Sequence, residues 1–360
     1  MKKILLTGGG TAGHVTPNIA LLPELRKRDY EVFYAGTRSG IEDRLITREG
    51  VPFHAITAGK LRRYFDLKNI TDLFLIFAGF IQSMYHLVKL RPDVVFSKGG
   101  FVSTPVVWAA WLLKIPVIIH ESDCTPGLAN RLSLPCAAKI CYSFPETARH
   151  LKKEKSVFTG LPVRRTLLEG DRRKGLRLCQ FSIEKPVILV MGGSQGSVVI
   201  NTAVREALPH LSNEFNICHI CGKGNLGEPR PSYRQFEFVS DELAHLFAIT
   251  EVFVGRSGAT TLFELLALKK PSLLIPLATG ASRGDQILNA RSFEKQGFSV
   301  VLPQDELSAS KLIEISRDIY SRKEEFISAF ERSAVPDGIK AVTDVIESVV
   351  KSGTASEKNS

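Results

Sequence analysis

Short apolar runs alternate along the chain with longer segments in which apolar residues recur every three or four positions. The short runs are typical of buried strands, and the longer segments are typical of amphipathic helices. Many of the strands are followed by glycine. This repeated strand–turn–helix order predicts parallel sheets covered by helices. The predicted strands are 3–6, 31–35, 94–96, 117–119, 140–142, 156–158, 187–191, 216–221, 237–239, 252–254, 272–275 and 299–301.

The pattern starts twice. A strand runs into glycines at 8–13, and another runs into glycines at 192–196. Each half then repeats the theme, with glycines at 99–100 in the first half and at 255–258 in the second. We therefore predict an α/β protein with two Rossmann-like, doubly wound domains separated by a deep cleft.

The domain boundaries follow from changes in composition. The first domain is predicted to cover residues 1–162 and the second 163–335. Residues 325–350 have a helical pattern, and we expect 336–350 to pack back on the first domain. The Ser-, Lys- and Asn-rich residues 351–360 are predicted to form a disordered tail.

Charge and hydropathy limit the function classes. The 360 residues include 47 Lys and Arg against 37 Asp and Glu, a formal net charge of +10, which suits an anionic partner. The longest uninterrupted apolar runs, 73–81 and 105–113, are about half of the roughly 20 residues that a spanning helix needs. We expect a cytosolic protein without a transmembrane helix or a signal peptide. Aromatic and basic residues do not interleave, which argues against nucleic-acid binding.

One cysteine pair has metal-like spacing. Cys218 and Cys221 form a C-x-x-C sequence within an alternating apolar run, and no second such pair follows. A buried strand end is therefore favoured over a redox or zinc site.

The glycine turns indicate a phosphate ligand. Glycines 8, 10 and 13 match the dinucleotide fingerprint, but the second strand ends in Gly36 and Thr37 without the acid that would bind a nicotinamide ribose. No P-loop motif occurs. A glycine turn at a helix N-terminus presents backbone amides to an anion. Each turn singly could serve only close strand–helix packing, but four on one cleft favour a ligand with two or more phosphates.

Two side chains next to the turns suit catalysis and ribose binding. His14 begins the helix after the first turn, and a neutral imidazole there could accept a proton beside an anion. The alternative is a capping or half-buried histidine. Glu264 lies about two turns into the helix after residues 255–258 and could accept both ribose hydroxyl hydrogens. The alternative is a solvated surface acid.

A further acidic pair follows strand 117–119. Glu121 and Asp123 could hold Mg²⁺ with a diphosphate, but contacts to sugar hydroxyls are favoured. Without a metal, helix ends, Ser194 and Arg164 would have to stabilise the charge of the leaving group.

Seven motifs in a fixed order extend over nearly the whole chain, and with them the sequence resembles the MurG family of glycosyltransferases. They are Gly8-Gly9-Gly10-Thr11-Ala12-Gly13-His14, Lys98-Gly99-Gly100-Phe101-Val102-Ser103-Thr104-Pro105, His120-Glu121-Ser122-Asp123, Thr159-Gly160-Leu161-Pro162-Val163-Arg164, Gly192-Gly193-Ser194-Gln195-Gly196, Arg256-Ser257-Gly258-Ala259-Thr260-Thr261 through Glu264, and Asp285-Gln286 with Asn289-Ala290.

The resemblance implies a two-Rossmann-domain (GT-B) fold and an inverting hexosyltransferase that needs no active-site metal and no cofactor. The implied reaction moves N-acetylglucosamine from UDP-N-acetylglucosamine to an undecaprenyl-pyrophosphoryl-N-acetylmuramyl-pentapeptide. This is a step of peptidoglycan synthesis, and thus of cell shape and division. The implied location is the cytoplasmic face of the cell membrane, with anionic inner-leaflet lipids and other cell-wall synthesis proteins as partners.

The family motifs also imply roles for single residues. His14 would be the general base, with Glu121 in reserve. The acceptor diphosphate would meet Gly10, Gly99 and Gly100. The donor would contact Thr11, Ala12, Gly13, Asp123, Arg164, Ser194, Val239 (through its backbone, at the uracil edge), Ala259, Thr260, Thr261, Glu264, Gln286 and Asn289.

Three positions depart from the family pattern. Ala12 stands where a second glycine is common, Asp123 where asparagine is common, and Asp285 where glutamine is common. An acid at the last two positions still accepts hydrogen bonds from sugar hydroxyls but cannot donate an amide hydrogen.

Residues 71–90 are predicted to form a helix that meets the membrane. Phe74, Leu75 and Tyr85 lie off its main apolar stripe, which makes the apolar surface wider than core packing needs. Such a surface with basic neighbours suits an anionic bilayer; the alternative is a buried helix with solvated ends. The stripe is Leu73, Ile76, Phe77, Phe80, Ile81, Met84, Leu87 and Val88, and the basic neighbours are Lys60, Arg62, Arg63, Lys68, Lys89 and Arg91.

Two other functions remain open. The first is another GT-B enzyme, either a diacylglycerol sugar transferase or a UDP-sugar 2-epimerase, which would release free sugar. The second is a non-catalytic nucleotide-sugar-binding or membrane-recruitment subunit. Such a subunit would not need His14 and the first glycine loop, so their presence favours an enzyme.

Overall fold

The computed structural model describes residues 1–38, 40–59, 68–193, 195–278 and 284–357, without the side chains of 68–71 and 353–357. The chain divides into two units, Met1–Arg164 with Val335–Ser360, and Arg165–Ala334. Each unit contains one parallel sheet with helices, so the predicted pair of α/β domains is confirmed. The cleft between them stays a prediction.

The sheet of the first unit has seven strands in the order β3-β2-β1-β4-β5-β6-β7. Side chains alternate across it: Ile4 and Leu6 join the apolar cluster on one face, and Leu5 joins the cluster on the other. The strand order reverses between β1 and β4, the switch point at which such sheets bind ligands. The strands are β1 Lys2–Thr7, β2 Tyr30–Gly36, β3 Phe53–Ala55, β4 Val94–Ser97, β5 Val117–Glu121, β6 Lys139–Tyr142 and β7 Ser156–Phe158.

Five helices of the first unit connect these strands, and the third begins earlier than residue 71, where the sequence pattern placed its start. Its Gly79 packs so closely on the backbone carbonyl of Thr57 that a Cβ at that position would collide with it. The helices are α1 Ala12–Lys27, α2 Ile41–Arg48, α3 Lys68–Leu90, α4 Ser103–Leu112 and α5 Leu128–Ser133.

The sheet of the second unit repeats the topology with six strands, in the order β10-β9-β8-β11-β12-β13. The predicted strand 237–239 is wrong, because the chain leaves the sheet after Phe236. Cys218 lies within β9 and Cys221 follows it, both buried and free, as the buried-strand interpretation predicted. The strands are β8 Val187–Met191, β9 Asn216–Ile220, β10 Tyr233–Phe236, β11 Thr250–Gly255, β12 Ser272–Leu274 and β13 Ser299–Val301.

Side-chain caps fix the start of several helices in the second unit. The carboxylate of Asp171 accepts hydrogen bonds from the amides of Arg173 (2.7 Å) and Lys174 (3.0 Å). The helices are α6 Arg172–Cys179, α7 Val198–Glu214, α8 Leu243–Ile249, α9 Ala259–Ala267, α10 Asp285–Lys295, α11 Ala309–Ser321 and α12 Lys323–Glu331. Short 3₁₀ turns occur at Leu134–Cys136, Pro145–His150, Arg165–Glu169 and Gln304–Glu306.

The last helix, α13 Gly338–Glu357, belongs to the first unit, where Val342 and Ile346 are fully buried in the same cluster as Ile4. The single helical pattern predicted over 325–350 is broken between α12 and α13, where Pro336 cannot continue a helix. The helix also runs to Glu357, into the segment predicted to be a disordered tail, because extending a formed helix costs little per residue.

Candidate active site

The first glycine turn joins β1 to α1 at the switch point of the first sheet. Gly10 has φ +84°, and a Cβ on it would lie 2.5 Å from Cε1 of Phe101, so only glycine fits. Thr11 precedes the helix and His14 lies in its first turn. The Oγ1 atom of Thr11 and Nδ1 of His14 are 3.0 Å apart, which fixes the orientation of the imidazole.

The second glycine turn follows β4 and touches the first. Gly99 and Gly100 have φ of +87° and +83°. A Cβ on Gly100 would collide with the backbone carbonyl of Gly9 and lie 3.2 Å from Nδ1 of His14. The structure therefore brings the predicted base and the predicted acceptor turn into contact.

The backbone amides of these turns are not equally free to bind an anion. The amide of Gly10 donates to Oε2 of Glu42 at 3.3 Å, and the amide of Gly99 donates to Oγ of Ser97 at 3.3 Å. Within the described part of the chain, the amide of Gly100 has no acceptor in hydrogen-bonding distance. Of the three predicted diphosphate contacts, Gly100 is thus the one whose donor is available.

Sequence reasoning missed Glu42, although its carboxylate organises the first turn. It is fully buried and also accepts hydrogen bonds from the amide (3.2 Å) and the hydroxyl (2.5 Å) of Thr37. A Cβ on Gly9 would lie 2.6 Å from its Oε1. In the sequence, Glu42 and Asp43 are an ordinary acidic pair at the start of α2, and this pattern does not predict a contact with the first glycine turn.

Glu121, the predicted reserve base, ends β5 and is 4% exposed. Its carboxylate accepts hydrogen bonds from Nδ2 of Asn130 (2.7 Å) and from the amides of Asp123 (3.0 Å) and Gly127 (3.1 Å). These contacts suit a residue that holds a loop. Asn130, also missed in the sequence, links this loop to the second turn, because its side chain packs against Gly99.

A buried lysine lies beneath the same loop. The side chain of Lys98 is 1% exposed, and its Nζ donates to Oγ of Ser122. Burial lowers the pKa of Lys98 to about 8, although Glu121 and Asp123 oppose this shift. The sequence motif contains Lys98 but gives no sign that the ammonium is buried.

Two helices of the second unit meet at the corresponding edge of its sheet. Gly258 caps α9, whose first turns carry Ala259, Thr260, Thr261 and Glu264. Glu264 is 5% exposed, so it is not a solvated surface acid. The hydroxyl of Ser257 donates to the backbone carbonyl of Gln286 at 2.8 Å, which joins the start of α10 to the turn before α9.

The remaining predicted donor-binding residues of this unit differ in burial and in hydrogen-bond partners. The side-chain oxygen of Gln286 accepts from the amide of Leu277 at 3.2 Å, and Asn289 is fully buried in α10. Val239 is half-buried in the segment after β10, and Asp285 begins α10. Ser194 lies outside the described residues.

Arg256 connects the loops at this edge of the second sheet by hydrogen bonds, a role that the sequence did not indicate. Its guanidinium donates to Oγ of Ser197 at 2.8 Å and to the carbonyls of Ile275 (2.9 Å) and Pro276 (3.2 Å). Burial lowers its pKa. The turns after β8, β11 and β12 are therefore tied to one buried side chain.

The other predicted donor-binding residues, Thr11, Ala12, Gly13, Asp123 and Arg164, belong to the first unit.

Helix α3 exposes more apolar side chains than predicted. Ile76, Ser83 and Leu87 are buried, so one narrow face packs on the unit. By length and hydropathy, Asp72–Leu90 could cross a membrane, a property that the short uninterrupted apolar runs of the sequence did not predict. Lys60, Arg62 and Arg63 lie outside the described residues. Exposed on α3 are Phe74, Leu75 and Tyr85, as expected, and also Leu73, Phe77, Ile81 and Val88.

Comparison with known families agrees with these two sheets. Residues 4–142 match the glycosyltransferase family 28 N-terminal domain, and residues 187–348 match the family's C-terminal domain. The chain belongs to glycosyltransferase family 28. A relative from Clostridium botulinum is 51% identical over 98% of this chain and 100% of its own length. It is named UDP-N-acetylglucosamine–N-acetylmuramyl-(pentapeptide) pyrophosphoryl-undecaprenol N-acetylglucosamine transferase.

Solved structures with the same fold include proteins with different names. Acinetobacter baumannii MurG superposes with a TM-score of 0.76 at 24% identity and covers 97% of this chain and 100% of its own. A putative UDP-N-acetylglucosamine 2-epimerase from Listeria monocytogenes superposes with a TM-score of 0.72 at 14% identity, covering 98% and 97%. At these identities the likeness establishes the fold alone.

Proposed function

We propose that this glycosyltransferase moves N-acetylglucosamine from UDP-N-acetylglucosamine to the C4 hydroxyl of undecaprenyl-pyrophosphoryl-N-acetylmuramyl-pentapeptide. The observation that carries the proposal is the 51% identity, across both domains, to a relative named for this transfer. The proximity of His14 to the turn at Gly100 supports it independently, because a histidine next to such a turn suits proton acceptance beside an anion. The product is the disaccharide lipid of peptidoglycan synthesis.

The reaction is a direct displacement at the anomeric carbon. The acceptor's C4 oxygen forms a bond to C1 of the sugar while the bond from C1 to the β-phosphate oxygen breaks, and its electron pair leaves with UDP. The hydroxyl proton passes to Nε2 of His14. The contact of Nδ1 with Thr11 orients the ring for this proton transfer.

The acceptor diphosphate binds at the second glycine turn. The amide of Gly100 is the donor available for it, and the positive end of α1 favours its charge. Glu42 takes the amide of Gly10, so that glycine shapes the turn instead of binding the ligand. Glu121 acts through the loop that carries Asp123.

The donor binds through the turns of the second unit. The amides at the start of α9 stabilise the diphosphate and the charge that develops on it, and Glu264 accepts the ribose hydroxyls. The backbone of Val239 receives the uracil edge, and Gln286 and Asn289 hold the sugar. Further donor contacts come from Thr11, Ala12, Gly13, Asp123, Arg164, Ser194, Thr260 and Thr261.

Helix α3 brings the enzyme to its lipid-linked acceptor. Its exposed apolar side chains include Phe74 (71% exposed) and Phe77 (63% exposed), and Lys89 and Arg91 at its end are exposed. The buried face with Ile76 and Leu87 keeps the helix in the first unit, so it lies on the anionic inner leaflet instead of crossing it.

The transfer is tested with radiolabelled UDP-N-acetylglucosamine, the lipid-linked muramyl acceptor and excess EDTA. We expect the label to move into the organic phase with the acceptor, and only when the acceptor is present. Free labelled sugar formed without the acceptor would instead indicate an epimerase. Nucleotide-sugar binding without either product would indicate a non-catalytic subunit.

The membrane contact is tested by sedimentation with phosphatidylglycerol vesicles at low salt. The triple variant F74S/F77S/Y85S should lose most of the bound fraction. The matched control is Ile183→Ser, which removes a 70% exposed apolar side chain from the other unit and should bind as wild type does. Equal binding by both proteins would contradict the role of α3.

A further inference from the structure

A chain of buried hydrogen bonds lies behind the donor side of the second unit. Nδ1 of His219, on β9, is 2.8 Å from the hydroxyl of Tyr233 on β10, and its Nε2 is 2.9 Å from Oδ1 of Asn201 on α7. Nδ2 of Asn201 donates in turn to the backbone carbonyl of Cys221 at 2.9 Å. His219 is fully buried and Asn201 is 2% exposed.

The direction of each hydrogen bond follows from the acceptor at its end. The carbonyl of Cys221 can only accept, so the amide of Asn201 donates to it and turns Oδ1 towards His219. Nε2 of His219 therefore carries the proton, and Nδ1 accepts from Tyr233. Burial, with a smaller effect of Arg205, lowers the pKa of His219 to about 3, so the ring stays neutral.

This chain of bonds ends where the glycine turn after β8 rests on its neighbours. A Cβ on Gly196 would collide with the carbonyl oxygen of Cys221, and a Cβ on Gly222 would collide with the carbonyl oxygen of Gln195. The two backbone segments are therefore in direct contact. A shift of the Cys221 carbonyl towards Gly196 would therefore displace the turn.

The same residues also hold the end of β10. The amide of Cys221 donates to the carbonyl of Phe236 at 2.9 Å, and β10 begins at Tyr233, the outer member of the chain. Val239, proposed to receive the uracil edge, follows three residues after Phe236. The imidazole of His219 thus connects the glycine turn after β8 to the segment proposed to receive the uracil edge.

We propose that His219 is a positioning residue for the nucleotide, and that it sets the affinity for UDP-N-acetylglucosamine through the Cys221 carbonyl and the end of β10. The proposal rests on the proposed function only in taking this nucleotide sugar as the donor. An apolar side chain cannot replace the ring. Oδ1 of Asn201 would lose its donor, and the hydroxyl hydrogen of Tyr233 would lose its acceptor, although its oxygen keeps the contact with Arg205.

The test is calorimetric titration of the full chain with UDP-N-acetylglucosamine, without acceptor. His219→Leu should raise Kd at least tenfold, while kcat at saturating donor stays within about threefold. His219→Gln, whose amide can still donate to Asn201, should remain within about threefold of wild type. The control Phe330→Leu, a buried core change against Phe298, should lower Tm and leave Kd unchanged.

Wild-type Kd in His219→Leu, or equal weakening in His219→Leu and Phe330→Leu, would overturn the proposal. If His219→Leu does not fold, Asn201→Asp should weaken binding about tenfold and Tyr233→Phe about threefold, and wild-type affinity in both would overturn it. A wild-type chain that binds the nucleotide sugar but transfers nothing contradicts the proposed function and leaves this proposal standing. A wild-type chain that does not bind it overturns both.

Discussion

The hydroxyl oxygen of Thr11 lies 3.0 Å from Nδ1 of His14. The contact lies within one helical turn, where Thr11 precedes α1 and His14 occupies its first turn. Such a partner decides which ring nitrogen carries the proton and which way the ring faces. The proposed base is thus oriented by its own helix start.

Thr11→Val keeps the shape of the side chain and removes this partner. We expect kcat for transfer at saturating donor to fall about 3- to 10-fold, the value of one hydrogen bond. Thr11→Ser keeps the hydroxyl and should retain near wild-type kcat. Steady-state kinetics at saturating acceptor measure both, and equal loss in the two variants would contradict the orienting role.

Gly100→Ala tests the contact between the two glycine turns. The residue has φ +83°, and the added Cβ would collide with the carbonyl of Gly9 beside His14. We expect transfer to fall more than tenfold and the free energy of unfolding to drop by more than the 1–2 kcal/mol of a left-handed alanine. Gly50→Ala is the matched control, because its φ is +67° with open space around it. That variant should lose stability alone, and wild-type activity in Gly100→Ala would refute the contact's importance.

Arg256→Met should destabilise the second unit. It leaves the carbonyls of Ile275 and Pro276 without this donor, at a cost of roughly 1–3 kcal/mol for each buried group, while Oγ of Ser197 keeps the amide of Ile200 as a donor. Arg317→Met, which breaks an exposed pair with Glu214, should cost less than about 1 kcal/mol. Urea unfolding followed by circular dichroism compares the two, and similar midpoints would show that Arg256 does not fasten the turns.

The stability of the wild type relative to Lys98→Met should depend on pH. The pKa of Lys98 is about 8 in the folded chain against 10.5 in the unfolded chain, so above pH 8 the unfolded chain holds the extra proton. Stability contributed by Lys98 therefore rises between pH 8 and 10.5. Wild type should gain about 3 kcal/mol over Lys98→Met between pH 7 and 10.5. Parallel unfolding profiles of the two proteins would exclude a buried ammonium.

The sequence predicted the sheets and the glycine turns well, because strands buried on both faces are continuous apolar runs and parallel strands need crossover helices. The failures occur where one local pattern allows two environments. Phe238 suggested a strand but is 67% exposed beyond the end of β10. The short strand β3 was missed because His54 interrupts its apolar pattern.

Site residues whose role is local could be predicted from the sequence, and those whose role depends on distant contacts could not. Motifs place His14 and Gly100 at turns, since turn chemistry is local. Glu42 and Asn130 were missed because their roles arise from contacts with residues that are distant in sequence or on other elements. On α3, the sequence indicated a wide apolar surface but not that Phe77 and Ile81 would lie outside the core.

The most direct test of the mechanism is single-turnover transfer by His14→Ala in excess EDTA, with donor and acceptor saturating. A general base contributes about 10²- to 10⁴-fold, so we predict a loss of at least 100-fold in the rate of labelled lipid formation. The Kd for UDP-N-acetylglucosamine should be unchanged. A His14→Ala enzyme that transfers the sugar at near the wild-type rate would contradict the account.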